Sequence, residues 1–199
     1  MSIGMIFECG PKGADMQVCE YLAQELLPGV EVKSETLDDK PNLLANAATV
    51  AKTLLADGCE RVLIIWDLRP AWPDTKLKPC RAAERQTLLD SLAKEGLQNA
   101  PVYLVCIEQE FESWLIADKS RLSAFLSTAT RAYKFQISGP PDRVQNPKSV
   151  VMKHFKTASG KVYVDRQHAI QVMRSDQPLN WKKLRRSESF ARFEAKLTT

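Results

Sequence analysis

The chain has 199 residues, 44% of them hydrophobic and 26% charged, which is enough for one buried core and argues against a disordered chain. No apolar run approaches the ~18 residues that cross a bilayer, and residues 1–10 lack the basic segment and long apolar stretch of a signal peptide; a soluble, cytoplasmic protein without a membrane partner is expected. The net charge of +4 hides an asymmetry, because residues 119–199 carry 17 Lys+Arg against 5 Asp+Glu while residues 1–118 carry 11 against 19.

Residues 3–7 are a short apolar run ending at Glu8-Cys9-Gly10-Pro11, the pattern of a strand entering a turn. Residues 15–27 have apolar side chains at helical spacing, with Asp15 as a candidate cap and Pro28-Gly29 as the stop. Residues 30–37 are only partly apolar and predict an edge-like strand. Residues 41–57 predict a second helix, and 61–66 a continuous apolar strand of the kind buried on both faces. Residues 67–79 contain three prolines and predict a loop. A helix over 81–97 and a strand over 101–107 follow, then a helix over 111–126 that Asp118 can split. Residues 136–147 predict a loop, and 148–155, 165–174 and 188–197 predict short helices.

Strand and helix alternate about four times. That order predicts an α/β fold: a short, mostly parallel sheet of about four strands, right-handed crossovers and helices on both faces. Residues 1–126 form the core in this reading, and 127–199 form a basic, mainly helical extension packed on the same domain. The five cysteines are odd in number and widely spaced, which suits reduced thiols. Without a C-x-x-C pair, and with only His154 and His168, no zinc site is expected. Nor is there a G-x-x-x-x-G-K-[ST] phosphate loop.

In such sheets ligands bind at the carboxyl ends of the strands. The first predicted strand ends at Glu8, the third at Asp67 and the fourth at Glu108-Gln109-Glu110, followed by Glu112. Parallel strands bring these carboxylates to one edge, where they repel unless a cation neutralises them. Mg²⁺, or Mn²⁺ in its place, suits such hard oxygen ligands. The simpler reading is that acidic residues after strands favour the positive ends of the following helices, as Glu112 would near the helix start.

The same residues resemble a known family. Glu8-Cys9-Gly10 with Asp15 resembles the Glu-Gly motif that opens Toprim domains, and Asp67 falls where those proteins carry an Asp-x-Asp motif. The segment from Glu110 to Asp118, reading EFESWLIAD, looks like the signature of a bacterial Toprim-like family of unknown function. Asn146-Pro147-Lys148, Lys161-Val162-Tyr163, Asn180-Trp181 and Ser189-Phe190 are similar to further elements of that family, so the resemblance covers nearly the whole chain. It implies a Toprim-like fold and a Mg²⁺-dependent nuclease or other phosphodiester-acting enzyme, of the type that partners with ATPases in phage defence. Glu8, Asp67, Glu110 and Glu112 would then be catalytic, with Glu8 and Asp67 as metal ligands. The chain departs from the motif in two places: Cys9 interrupts Glu-Gly, and Asp67-Leu68-Arg69 lacks the second aspartate. Asp74 is the candidate replacement. The departures leave open a second reading, a catalytically degenerate module that binds nucleic acid or a partner ATPase.

The basic half points to an anionic partner, nucleic acid first, or simply to a solvated basic surface. Arg69 and Lys148 are candidate phosphate contacts, as are Lys182, Lys183, Arg185 and Arg186, with Trp181 beside them either stacking on a base or packed on the core. Cys9 lies ahead of a helix, where a thiolate can be favoured, but packing is the simpler role. His154 and His168 have no carboxylate partner in the sequence; either could serve as a general base, but a plain surface role is expected.

Overall fold

The chain alternates as its periodicity requires. β1 (Ser2–Phe7), α1 (Ala14–Leu26), β2 (Glu31–Thr36), α2 (Lys40–Ala56), β3 (Arg61–Asp67), α3 (Arg81–Lys94) and β4 (Val102–Ile107) come first. α4 (Glu112–Ala117), α5 (Lys119–Leu126), a 3-10 turn at Pro141–Arg143, α6 (Pro147–Ser159), α7 (Asp165–Met173), α8 (Trp181–Leu184) and α9 (Glu188–Thr198) complete it. This computed structural model describes all residues except 72–75, 77, 176 and 199. The strand order is β2-β1-β3-β4, and every pairing is parallel.

Side chains of a strand alternate between faces, and two apolar clusters result. Ile3, Met5 and Phe7 of β1 and Leu63 and Ile65 of β3 face a layer built from α1 and the later helices. Ile6, Val62, Ile64 and Trp66 face α2 and α3. With both faces covered, the buried interiors of β1 and β3 are apolar, as parallel central strands require, with Ser2, Arg61 and Asp67 at their ends. β2 (EVKSET) takes the edge, which its polar composition tolerates. The opposite edge, β4, is flanked by α9. There Arg192 donates to the Cys106 carbonyl at 3.1 Å and to Glu108 at 2.7 Å, and the Lys196 ammonium lies 5.3 Å from the Tyr103 ring centre.

The predicted helix over 111–126 is two helices. Asp118 breaks it by accepting the Arg121 N–H at 3.2 Å, as the N-cap of α5. α6 is longer than its apolar pattern suggests, since Pro147 begins it and Gly160, at φ 71°, ends it. Asp15 is not the cap of α1: it lies in the first turn, and Gly13 holds the cap position.

Gly13 is there because the turn is tight. A Cβ at this position would meet Cys9 Sγ at 2.3 Å, Cys9 Cβ at 2.6 Å and Asp15 Oδ1 at 2.9 Å. Gly13→Ala is therefore expected to push the β1–α1 loop outward and cost about 1–3 kcal/mol. A thermal melt of the variant checks this; a melting temperature equal to the wild type's would contradict it.

Both histidines are half-buried rather than free at the surface. His154 Nδ1 shares a 2.7 Å hydrogen bond with the Tyr133 hydroxyl, and its ring lies 4.3 Å from that of Phe135. His168 Nδ1 accepts the Val164 N–H at 2.8 Å. Trp181 stacks on Phe190 and packs on the core, and Trp66 and Trp114 are buried in it. No helix among the described residues is long and apolar enough to cross a membrane.

Candidate functional site: a carboxylate pocket at the sheet edge

Parallel strands deliver their carboxyl ends to one side of the molecule, and a cavity of about 670 Å³ opens there. Carboxylates outnumber cations eight to four in its lining. Glu8 comes from the end of β1, Asp67 from the end of β3, Glu110 and Glu112 from the β4–α4 junction, and Asp165 from the start of α7. Three loop residues near the pocket, Lys12, Asp38 and Asn146, hold positive φ values of 61°, 67° and 49°, a backbone region costly for most non-glycine residues and common at binding sites.

A chain of charge-assisted hydrogen bonds locks the centre. Glu8 Oε1 accepts the Asp67 N–H at 2.9 Å, and Asp67 Oδ2 accepts the Phe111 N–H at 3.1 Å. Each carboxylate thus spends one oxygen on the backbone of the next strand end. The other two oxygens, Glu8 Oε2 and Asp67 Oδ1, are sealed from solvent and accept nothing. Buried unpartnered oxygens are costly and call for an explanation, an ion among them.

Burial dominates the electrostatics. It pushes Glu8 up to about 7, against the pull of the Lys40 ammonium and the Asp67 amide. It raises Asp67 well above the carboxylate range, with the charges of Glu8, Asp15 and Glu112 adding to the effect. Asp15 is raised by burial as well. Burial and the neighbouring Asp15 also raise the Cys9 thiol, which favours its neutral form.

Lys40, 5% exposed, is the one buried lysine among the described residues. Its ammonium donates to the carbonyls of Leu68 at 2.9 Å and Pro70 at 3.3 Å and lies 3.7 Å from Glu84. Glu84 in turn accepts the Trp66 indole N–H at 2.8 Å. Lys40 thereby pins the segment after Asp67 and fixes where that carboxylate stands.

The second half of the pocket centres on Glu112, 3% exposed. Burial pushes it up to about 7, opposed by Lys148, with Glu110 and Asp165 raising it further. Glu110 is occupied, its Oε2 accepting the Lys148 N–H at 3.0 Å at the start of α6. The Lys148 ammonium pairs with Asp165. The phenol of buried Tyr163 is raised by burial and by Glu112.

The structure thus brings Glu8, Asp67, Glu110, Glu112, Arg69 and Lys148 to one pocket. It does not bring the Lys182–Arg186 cluster there. Lys183 pairs with Asp118 at 3.2 Å, Arg185 makes a two-pronged pair with Glu194 at 2.6 and 2.7 Å, and Lys182 is exposed elsewhere. Arg186 lies in a separate groove that Arg69 also lines. Asp74 lies outside the described residues. Lys40, Asp165 and Arg166 also line the pocket, and no motif or spacing in the sequence marked them; only Asp165, opening a predicted helix, offered a trace.

The fold and site define an α/β protein with a half-buried carboxylate pair at the carboxyl edge of a parallel sheet. Comparison with protein-family models, with curated proteins and with solved structures returns no significant match.

A test of fit for Mg²⁺ uses the chain's own atoms. No group of three or more His, Cys, Asp or Glu disposed to hold a metal occurs among the described residues. Mg²⁺, however, commonly takes one or two carboxylates and keeps several waters. Glu8 Oε2 and Asp67 Oδ1, at the ends of β1 and β3, supply that number of carboxylates.

Proposed function

We propose that the pocket holds Mg²⁺ or Mn²⁺ at Glu8 and Asp67 and acts on phosphodiesters of nucleic acid, in the manner of the Toprim-like enzymes that the sequence resembles. The observation that carries this reading is the pair of sealed oxygens, Glu8 Oε2 and Asp67 Oδ1, that accept no hydrogen bond. When bound, the ion supplies charge neutralisation at phosphoryl oxygens and a more acidic water. Glu112, held up to about 7 by burial, suits proton transfer near neutral pH. Arg69, Lys148 and Arg166 line the same cavity and offer positive charge to phosphate oxygens.

A second reading, a binding module without chemistry that serves nucleic acid or a partner ATPase, is favoured by the missing carboxylate in Asp67-Leu68-Arg69 and by the two-carboxylate character of the site.

Calorimetric titration of Mg²⁺ and Mn²⁺ into the wild type and Asp67→Ala, with plasmid nicking assayed on the same samples, separates the two. Metal binding and nicking that both vanish in Asp67→Ala support the enzyme. A wild type that neither binds metal nor nicks supports the module.

A further inference from the structure

Beside the carboxylate pocket runs a second groove, of about 370 Å³. Arg69 lines both cavities, so they adjoin. The groove gathers Arg69 from the segment after β3, Arg143 from the 3-10 turn and Arg186 from the residues after α8. Among the described residues none of these three guanidiniums makes an ion pair, whereas Arg81, Arg121, Arg185 and Arg192 all do.

The acids of the groove do not neutralise them. Glu108 is taken by Arg81 at 2.6 Å and Arg192 at 2.7 Å. Asp142 is engaged by Ser187 Oγ at 2.9 Å, Ser189 Oγ at 2.8 Å and the Ser189 N–H at 3.2 Å, anchoring the start of α9. Glu188 alone is exposed without a partner among the described residues. Three uncommitted arginines thus face one uncommitted carboxylate.

All three are held on a hydrogen-bonded backbone, Arg143 by its N–H to the Pro140 carbonyl at 3.1 Å. The Arg69 N–H donates to the Gln109 carbonyl at 3.1 Å, and the Leu68 N–H to Ile107 at 2.7 Å, which carries the β3–β4 ladder into the groove. The Arg186 N–H donates to the Lys183 carbonyl at 3.1 Å, which closes the turn after α8. Guanidiniums in this state match phosphate geometry and are more weakly hydrated than ammonium groups.

The geometry points to a phosphate-binding track: a nucleic-acid strand lies with successive phosphates on Arg186, Arg143 and Arg69 and enters the carboxylate pocket past Arg69. The groove rests on the proposed function only for what happens at the track's end, and its binding needs no metal. Arg143 has no counterpart in the motifs read from the sequence. The neighbouring Lys182, though part of the basic cluster, lies outside the track.

The test is fluorescence anisotropy with labelled DNA and RNA oligonucleotides, in chelator, for the full chain, Arg143→Gln/Arg186→Gln and Lys182→Gln. All three substituted residues are exposed, and melting curves should coincide. The double variant is expected to bind about tenfold or more weakly and to lower the log–log salt slope by about two. Lys182→Gln should bind as the wild type does. The track is overturned by a double variant that binds like the wild type, by an equal loss in Lys182→Gln, or by a wild type that binds neither oligonucleotide. Inorganic polyphosphate that competes as well per phosphate as the oligonucleotides overturns the nucleic-acid assignment. Metal titrations of the same variants should be unchanged, so failure of the track is distinguishable from failure of the metal site.

Discussion

Replacing Glu8 by Gln is expected to raise, not lower, the melting temperature of the metal-free protein near pH 8. Burial moves the Glu8 carboxyl from 4.5 to about 7. A carboxyl that holds its proton more tightly when folded favours the folded state at low pH, and that advantage disappears as pH rises from the unfolded value through the folded one. Above that window the folded state carries a desolvated charge, which costs about 3 kcal/mol. Glutamine keeps the oxygen that accepts the Asp67 N–H and removes the charge. Its amide nitrogen replaces the unpartnered Oε2 and returns about 1 kcal/mol of that gain. A net ~2 kcal/mol is roughly 5 °C for a chain of this size. Near pH 4 the difference should vanish. Mg²⁺ should raise the melting temperature of the wild type at pH 8 and leave the variant's unmoved, because ligand that binds only the folded state stabilises it. Calorimetric melts at both pH values, with and without Mg²⁺, measure all of this. A variant less stable than the wild type at pH 8 would show that the site is not held under electrostatic tension.

The second large effect concerns Arg121, which is 2% exposed. Its guanidinium donates to the carbonyls of Val172 at 3.3 Å, Met173 at 2.9 Å and Gln177 at 2.6 Å, and to Ser175 Oγ at 2.9 Å. It also lies 3.8 Å from Asp118. One side chain therefore closes the C-terminal end of α7, where free carbonyls and the helix dipole favour a cation. Arg121→Ala strands the buried Val172 and Met173 carbonyls and leaves a cavity. A loss of about 3–5 kcal/mol is expected, or roughly 10 °C in melting temperature. Arg121→Lys should recover only part of it, since an ammonium cannot reach several carbonyls in a fork. Because α7 begins at Asp165 in the pocket, the Ala variant should also weaken metal binding. A melt within about 2 °C of the wild type would remove Arg121 as an anchor.

These two residues differ in how far the sequence foretold them. Glu8 was marked because it ends an apolar run at the carboxyl side of a strand. Arg121 was not, because a lone arginine in an amphipathic stretch has the same local pattern whether it faces water or caps a distant helix. The split at Asp118 was visible, since a side-chain acceptor at a helix start acts within three residues. The place of Asp15 was misread because Gly13 offers no side chain and its role depends on how closely Cys9 approaches.

The amino-acid sequence by itself determined the order of strands and helices, the parallel sheet with both faces covered, and the delivery of Glu8, Asp67, Glu110 and Glu112 to one edge. All of these follow from periodicities of two and 3.6 residues and from turn chemistry, which act over a few positions. The tertiary structure alone decided that Glu8 bonds the amide of Asp67, that Lys40 pins the loop behind it, and that α6 and α7 return Lys148 and Asp165 to the pocket. It alone scattered the Lys182–Arg186 run among Asp118, Glu194 and solvent and set Arg143 beside Arg69 and Arg186. Such pairings join residues far apart in the chain. They depend on packing and desolvation summed over the whole core, which no local pattern encodes.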